Sequence, residues 1–453
     1  MNAVKNRASL SRSPRKSIAV ISAALVGALA LSAMPAQGAS TPGVSDTEIV
    51  LGMQLPQTGL ASPGYNKVDD AMRAYFDFVN SKGGVNGRKI TLVAYDDEYK
   101  AGKTVTTASR LINKDKVFAM VGSVGTQTHI SVIKDLNRRG IPDLFVLSGY
   151  SGFYTDPKKY PTTFGSLGTY VAEAKILGKY IKENMATKNV GILYQTDDFG
   201  RNTVEGLGIA GLTFTAKKNA ASFVAGTQGS GLDAQMQQLK DNNVEVVIVG
   251  ATASAFAAAV SSSNKIGYKP QYVVISVGSD ATTFQTILGA RGIPAAVSAG
   301  LLAGTISASH APSPAEADDE WVKAFKKIND EFNKGPAAGK VWDNNVLQGM
   351  NIGYTMTAAL MGAGKNLTRP GIIKYIESNP AKLSSAALSP LGYSAKTHEA
   401  YTGFWIGKYD ATAVLKPIDG TRKMWTTDSA KGPVTELKYT RPAIAADALP
   451  KVG

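Results

Sequence analysis

Short apolar runs of strand length alternate through this chain with longer stretches in which apolar residues fall three and four apart. Residues 48–59 (EIVLGMQLPQTG) read as a strand closed by a Pro, Thr, Gly loop that contains Thr58 and Gly59. Residues 67–80 then place Val68, Met72, Tyr75, Phe76 and Val79 at helical spacing, and the glycines of SKGGVNG stop that helix. KITLVAYDDEY and TVTTASRLINKD repeat the strand and the helix. Alternation of this kind predicts an α/β fold, a mostly parallel sheet with helices on both faces.

Residues 117–151 carry the most functional information. Val117 to Val121 are apolar throughout, the pattern of a parallel strand covered on both faces. IPDLFVLSGYSG repeats a strand followed by a small polar loop. Such strands deliver their loops to the carboxyl edge of the sheet. There Gly122, Gly125 and Gly149 allow close backbone approach, while Ser123, Thr126, Gln127, Thr128, Ser148 and Ser151 offer neutral donors and acceptors. Two such loops, one opening a helix, make a polar cradle for a small ligand, best an anionic one. The same composition is also common in ordinary strand-to-helix loops.

KYPTTFGSLGT interrupts the alternation, which restarts at Tyr170 and runs to PQYVVISVG. Two α/β units joined near residue 165 predict two lobes facing a cleft. The chain then recrosses: AGLLAGTIS (299–307) reads as a strand, helices are expected over 319–333 and 341–363, and GFWIGKYD and AVLKPID read as a short strand pair. The expected division is 46–165 with 298–388 as lobe I and 166–297 with 389–425 as lobe II. Residues 426–453 lack periodicity and read as an irregular tail, packed on one lobe or partly disordered.

Residues 1–39 carry Lys5, Arg7, Arg12, Arg15 and Lys16 before an apolar stretch from Ile18 to Ala33 and the small residues of MPAQGAS. This predicts a secretory signal peptide cleaved near Ala39, an uncleaved anchor being the alternative. An exported location follows, in a periplasm, cell envelope or outside the cell. The absence of cysteine excludes disulfides, thiol catalysis and a cysteine-linked lipid anchor. Removing the five basic residues of the leader lowers the formal charge from +14 to +9, and no Lys/Arg run longer than two remains. Nucleic acid is therefore not expected as a partner.

Catalytic equipment is missing. GLGIAG (206–211) matches a dinucleotide fingerprint but sits inside an expected helix, and neither a phosphate-binding loop nor a nucleophile elbow is present. His129, His310 and His398 have no metal-ligand spacing, and each is expected to be solvated or already satisfied. Asp96, Asp97, Asp197 and Asp198 stand at strand ends or helix starts, where acids are favoured by capping. The expectation is a binding protein with no cofactor and no metal, not an enzyme.

The strings IVLGMQLPQTG, VNSKGGVNGRKITLVAYDDEY, LINKDKVFAMVGSVGTQT, RRGIPDLFVLSG, YQTDDFGRNTVEG and SPLGYSAKTHEAYTG occur in that order over residues 46–415. Together they resemble the leucine/isoleucine/valine-binding family of periplasmic solute receptors of ABC transporters. The resemblance implies a two-lobed type I periplasmic-binding fold with three crossings, near 163–168, 296–300 and 388–391. It further implies a small-molecule ligand, an inner-membrane ABC permease as partner, and a monomer; a ligand sensor of the same fold and an exported α/β enzyme are the alternatives. In that family first-lobe loops hold the ligand carboxylate, which by position implies Gly125, Thr126, Ser148 and Ser151, with Tyr150 beside them and Thr58 and Gly59 in the first loop. Tyr65 falls near a pocket aromatic, and Phe199 stands where a tyrosine is frequent. Val277 occupies the place of an acid that pairs with a ligand ammonium, and Asp280 lies three residues on. This departure from the family's pattern favours a carboxylate with an apolar or aromatic body and no amino group, or another neutral small molecule, over a branched-chain amino acid.

Overall fold

The computed structural model describes residues 41–336 and 341–452. The expected leader, 1–39, lies outside the described residues. No helix among them is long and apolar enough to cross a membrane.

The first sheet is wholly parallel. It is built from β1 (Glu48–Leu55), β2 (Lys89–Asp96), β3 (Ala119–Val121), β4 (Asp143–Val146) and β5 (Thr163–Gly165), in the order β2-β1-β3-β4-β5. Its covering helices include Val68–Ser81 and Asn344–Ala363. These two approach closely because Gly349 and Gly353 face Val68, Ala71 and Tyr75: a Cβ on Gly349 would lie 2.6 Å from the Val68 carbonyl oxygen.

The second sheet has a parallel centre, β6 (Val190–Gln195), β7 (Ala220–Phe223), β8 (Val246–Gly250), β9 (Gln271–Val274) and β10 (Ile306–Ser309). An antiparallel flank follows: β11 (Gly403–Tyr409), with β12 (Leu415–Pro417) and β13 (Met424–Thr426) both pairing β11, and β14 (Thr435–Glu436) on β13. Two α/β lobes result, as the alternation of strands and helices predicts.

Three boundaries differ from the sequence reading. The run 299–307 is not one strand: Ala295–Leu302 is helical and only Ile306–Ser309 is extended, paired with β9 in the second sheet. Alanine and leucine favour the helix, and within the run 299–307 β-branched residues begin only at Thr305 and Ile306. The second crossing therefore follows Ser309 rather than falling at 296–300, and residues 298–309 belong with the second lobe. The third crossing also lies later than 388–391. Tyr393 packs on Phe145 and Phe164 in the first-lobe core, and the chain enters the second sheet at Gly403.

The tail is the third difference. Residues 426–436 extend the second sheet, whereas residues beyond them dock on the first lobe. Trp321 donates its indole N–H to the Pro442 carbonyl at 3.0 Å, Tyr75 donates to the Ala448 carbonyl at 2.8 Å, and the Arg441 guanidinium bonds Asp319 and the Ala386 carbonyl. The tail thus bridges both lobes instead of packing on one.

Candidate functional site

The three crossings come together at a hinge. Gly168 and Leu391 both form backbone bridges to Tyr401, and His310 stacks on the Tyr401 ring at 4.8 Å. A Cβ on Gly168 would lie 2.1 Å from the Phe404 ring, so glycine is needed there for the strands to pass. In front of the hinge, between the lobes, is a cavity of about 370 Å³. That is the small end of the ~300–1,000 Å³ range of small-molecule sites.

The first-lobe wall is made by the loops after β3 and β4. Gly125 adopts φ +117° and leaves room for Tyr99, whose ring would stand 2.6 Å from a Cβ at that position. The Thr126 N–H points to the Tyr99 hydroxyl at 3.4 Å, and the Thr126 and Ser148 hydroxyls bond each other at 2.7 Å, fully buried. Tyr170 closes the corner. Its N–H donates to the Gly149 carbonyl at 2.7 Å, its ring stacks on Phe199 at 4.2 Å, and its hydroxyl stands beside those of Thr126 and Ser148. Burial pushes the Tyr170 phenol up to about 12, so it remains a donor. Burial raises the Tyr65 and Tyr99 phenols as well.

The second-lobe wall carries Ser276, Val277, Ser279 and Asp280 after β9. Glu173, 1 % exposed, holds this turn by accepting the Ser276 N–H at 2.6 Å and the Ser276 hydroxyl at 2.9 Å. Burial raises its carboxyl to about 8 against the opposing pull of those bonds. Asp280 caps the helix Ala281–Gly289 through the Thr283 N–H at 2.7 Å and reaches across the cleft to the Asn344 N–H at 3.3 Å. Asp343 caps Asn344–Ala363 through the Val346 N–H at 2.9 Å and pairs with Lys67. Burial, then the Asp280 charge, raise the Asp343 carboxyl to about 6 against the pull of Lys67. Trp342 and Trp405 complete the wall, each donating its N–H to a backbone carbonyl (Pro314 and Ala311).

Of the residues singled out from sequence, Tyr65, Gly125, Thr126, Phe199 and Val277 line this cavity, and Ser148 stands directly behind Thr126. The other four lie away from it. The Thr58 hydroxyl is held by Asp96 at 2.5 Å on the exposed side of the β1 loop, beside Gly59. Tyr150 packs edge-on against Phe153, and the Ser151 N–H donates to Asn202 of the second lobe at 3.0 Å. Sequence reasoning missed Tyr99 and Tyr170, although each stands within a few residues of the carboxyl edge of β2 or β5. Asp280, three residues beyond Val277, was expected to serve only in a rearranged loop. The short turn Ser276–Gly278 brings that acid into the same wall as Val277. Asp197 caps the helix Asp198–Ile209 through the Phe199 and Gly200 N–H groups, and among the described residues no three acids or histidines gather as a metal site.

A chain 29% identical over 180 residues, an amino acid binding protein from Pseudomonas aeruginosa, matches 40% of this chain and 47% of its own length. The chain spans about half the length of the first curated relatives it matches. Among solved structures, a branched chain amino acid ABC transporter protein from Thermus thermophilus with bound valine aligns with TM-score 0.71 at 17% identity, covering 85% of this chain and 98% of that one. A fatty acid ABC transporter substrate-binding protein from Thermomonospora curvata aligns with TM-score 0.66 at 19% identity, covering 90% and 96%. At such identities the likeness is one of fold. With the family model for the periplasmic binding protein matched over residues 48–413, through both lobes and all three crossings, this chain belongs to that family.

Proposed function

We propose that this chain is an exported receptor that captures one small, net-neutral organic solute between its lobes and delivers it, as a monomer, to a membrane-embedded ABC permease. No bond is made or broken. The observation that carries the solute class is electrostatic. The charged side chains lining the cavity are Asp280 and Asp343, and no lysine or arginine lines it among the described residues. Lys67 offsets Asp343, which leaves Asp280 as the uncompensated charge. A bare carboxylate would be buried beside it without a cation, at a large desolvation cost. A zwitterionic amino acid or a neutral amide fits better: its donor faces Asp280, and its acceptor faces the Thr126 loop. This replaces the preference for a carboxylate without an amino group that Val277 suggests on its own. The amino acid and valine-bound relatives support the same reading.

Delivery follows from geometry. A solute touching both walls does so only when the lobes are together, so binding favours that arrangement by its differential affinity. The test is calorimetry of the purified protein with amino acids, their amides, and aliphatic and aromatic carboxylates. Amino acids or amides are expected to bind, and Asp280→Asn is expected to weaken ammonium-bearing ligands by tenfold or more while still capping its helix. Tight binding of simple carboxylates, undiminished in Asp280→Asn, would refute the assignment.

A further inference from the structure

A helix that returns the chain to the start of the next parallel strand ends at the sheet edge opposite the loops that line the cavity, and its dipole favours cations there. In the first lobe that edge collects them. Lys114 and Lys116 stand between the helix Ala101–Asn113 and β3, Arg138 and Arg139 stand between the start of the helix Ile133–Arg138 and β4, and Lys158 and Lys159 lie in the turn before β5; all six are exposed. The three segments are joined to one another. Arg139 donates to the Asn113 side-chain oxygen at 2.7 Å, while Asn137 accepts the Thr162 N–H at 2.8 Å and donates to the Thr163 hydroxyl at 2.8 Å. Arg369 adds a fourth segment: it donates to the Val117 and Phe118 carbonyls, and burial, then the nearby Arg139 charge, lower its pKa.

Between the helix Ile133–Arg138 and the turn before β5 runs a groove of about 320 Å³ lined by Lys134, Asn137, Arg138, Lys159, Tyr160 and Pro161, three cations and no carboxylate. The acids nearby are engaged. Asp135 pairs with Arg138 and Arg139, Asp115 accepts the Tyr95 hydroxyl at 2.9 Å, and Asp156 accepts the Lys158 N–H at 3.1 Å. Among the described residues no acid pairs with Lys114, Lys116, Lys134, Lys158 or Lys159.

A cation at one helix end is ordinary, but here segments remote in sequence place theirs side by side without any run of Lys and Arg longer than two. The result is a face, not a cage. A discrete anion is gripped by convergent forks, and the forks of Arg138 and Arg139 are taken by Asp135 and Asn113. Separate, mobile ammonium groups spread over a face suit a surface that carries many negative charges.

We propose that this edge of the first lobe docks the protein on an anionic lipid surface, its lysines meeting phosphate-bearing headgroups. The docking face and the solute cavity lie at opposite edges of the first sheet, so a docked protein keeps its solute site free. The proposal goes beyond solute capture and does not depend on which solute is bound.

Co-sedimentation of the purified protein with phosphatidylcholine vesicles, and with equimolar phosphatidylcholine and phosphatidylglycerol vesicles, tests this. Binding above the neutral baseline is expected with the anionic vesicles at low ionic strength, fading as salt shortens the Debye length. Lys134→Gln, Lys158→Gln and Lys159→Gln combined are expected to weaken it about a hundredfold, at about fivefold for each lysine. Lys323→Gln, Lys326→Gln and Lys327→Gln combined remove the same net charge from the exposed side of the helix Glu320–Phe332, which covers the other face of the sheet. That control is expected to stay within about threefold of the parent. Equal losses in the two triple variants, or equal binding to neutral and anionic vesicles, overturn the proposal. So does displacement by inorganic phosphate at constant ionic strength, which would make the groove a discrete phosphate site, or tighter lysine-dependent binding of soluble polyphosphate than of vesicles. Should the first triple variant not fold, Lys134→Gln and Lys158→Gln singly, each expected to lose about fivefold, decide the matter.

Discussion

Replacing Glu173 with glutamine should flatten the dependence of stability on pH. The buried carboxyl has its pKa raised from an ordinary 4.5 to about 8, chiefly by desolvation. A group whose folded pKa exceeds its unfolded value binds its proton more tightly when folded. Its contribution is therefore fully present below pH 4.5 and is lost as pH rises to 8. At up to ~1.4 kcal/mol per pH unit, this window of three and a half units amounts to at most about 5 kcal/mol. Glutamine keeps the contacts: its carbonyl can accept the Ser276 N–H, and its amide can donate to the Ser276 hydroxyl. Glu173→Gln should thus match the parent near pH 4.5 and exceed it by several kcal/mol at pH 8. Urea midpoints across that range measure the difference, and comparison with the parent removes the similar-signed contribution of Asp343. A variant whose midpoint follows the parent at every pH, or falls below it at pH 8, would refute the reasoning.

Gly168→Ala should destabilise the protein by about 1–3 kcal/mol, because its Cβ would lie 2.1 Å from the Phe404 ring and 3.0 Å from the Tyr401 carbonyl oxygen; an unchanged urea midpoint would contradict that. Ending the chain at residue 440 leaves the Trp321 indole, the Tyr75 hydroxyl and Asp319 without their tail partners, at ~1–3 kcal/mol for each buried group. A loss of about 3 kcal/mol or more is expected by denaturant titration. Thr126→Val breaks the hydroxyl pair with Ser148; it should cost about 1 kcal/mol of stability and weaken solute binding about tenfold, read by calorimetry.

The alternation of strands and helices was readable because helix and strand periods are local properties, and the first-sheet loops were readable because glycines that permit close backbone approach stand there beside hydroxyl side chains that can bond. The crossings were harder. β10 is four residues long and inherits an apolar run whose first half is helical, so hydrophobicity alone could not place it. The docking of the tail left little pattern in its own sequence: Pro442 and Ala448 contribute carbonyl oxygens that every residue possesses, and Arg441, Ile444, Leu449 and Val452 are too few and too irregularly spaced to read as an element. Tyr99, Tyr170 and Trp405 entered the cavity wall through ring directions set by distant packing. His310 looked like an ordinary loop residue for the same reason: only the stacking with Tyr401, ninety-one positions away, fixes where it points.

A chain that recrosses three times and then returns its tail to the first lobe also has an order in which it can be completed. The first-lobe core needs helices from beyond residue 319 and the tail residues Ile444, Leu449 and Val452; the second sheet needs β10 and β11. During synthesis from the amino terminus, neither lobe can bury its full core until its late segments have emerged. The two lobes therefore mature nearly together, and any chain interrupted before residue 441 is left with Trp321 and Tyr75 lacking partners, marked as unfinished by its own exposed and unsatisfied surface.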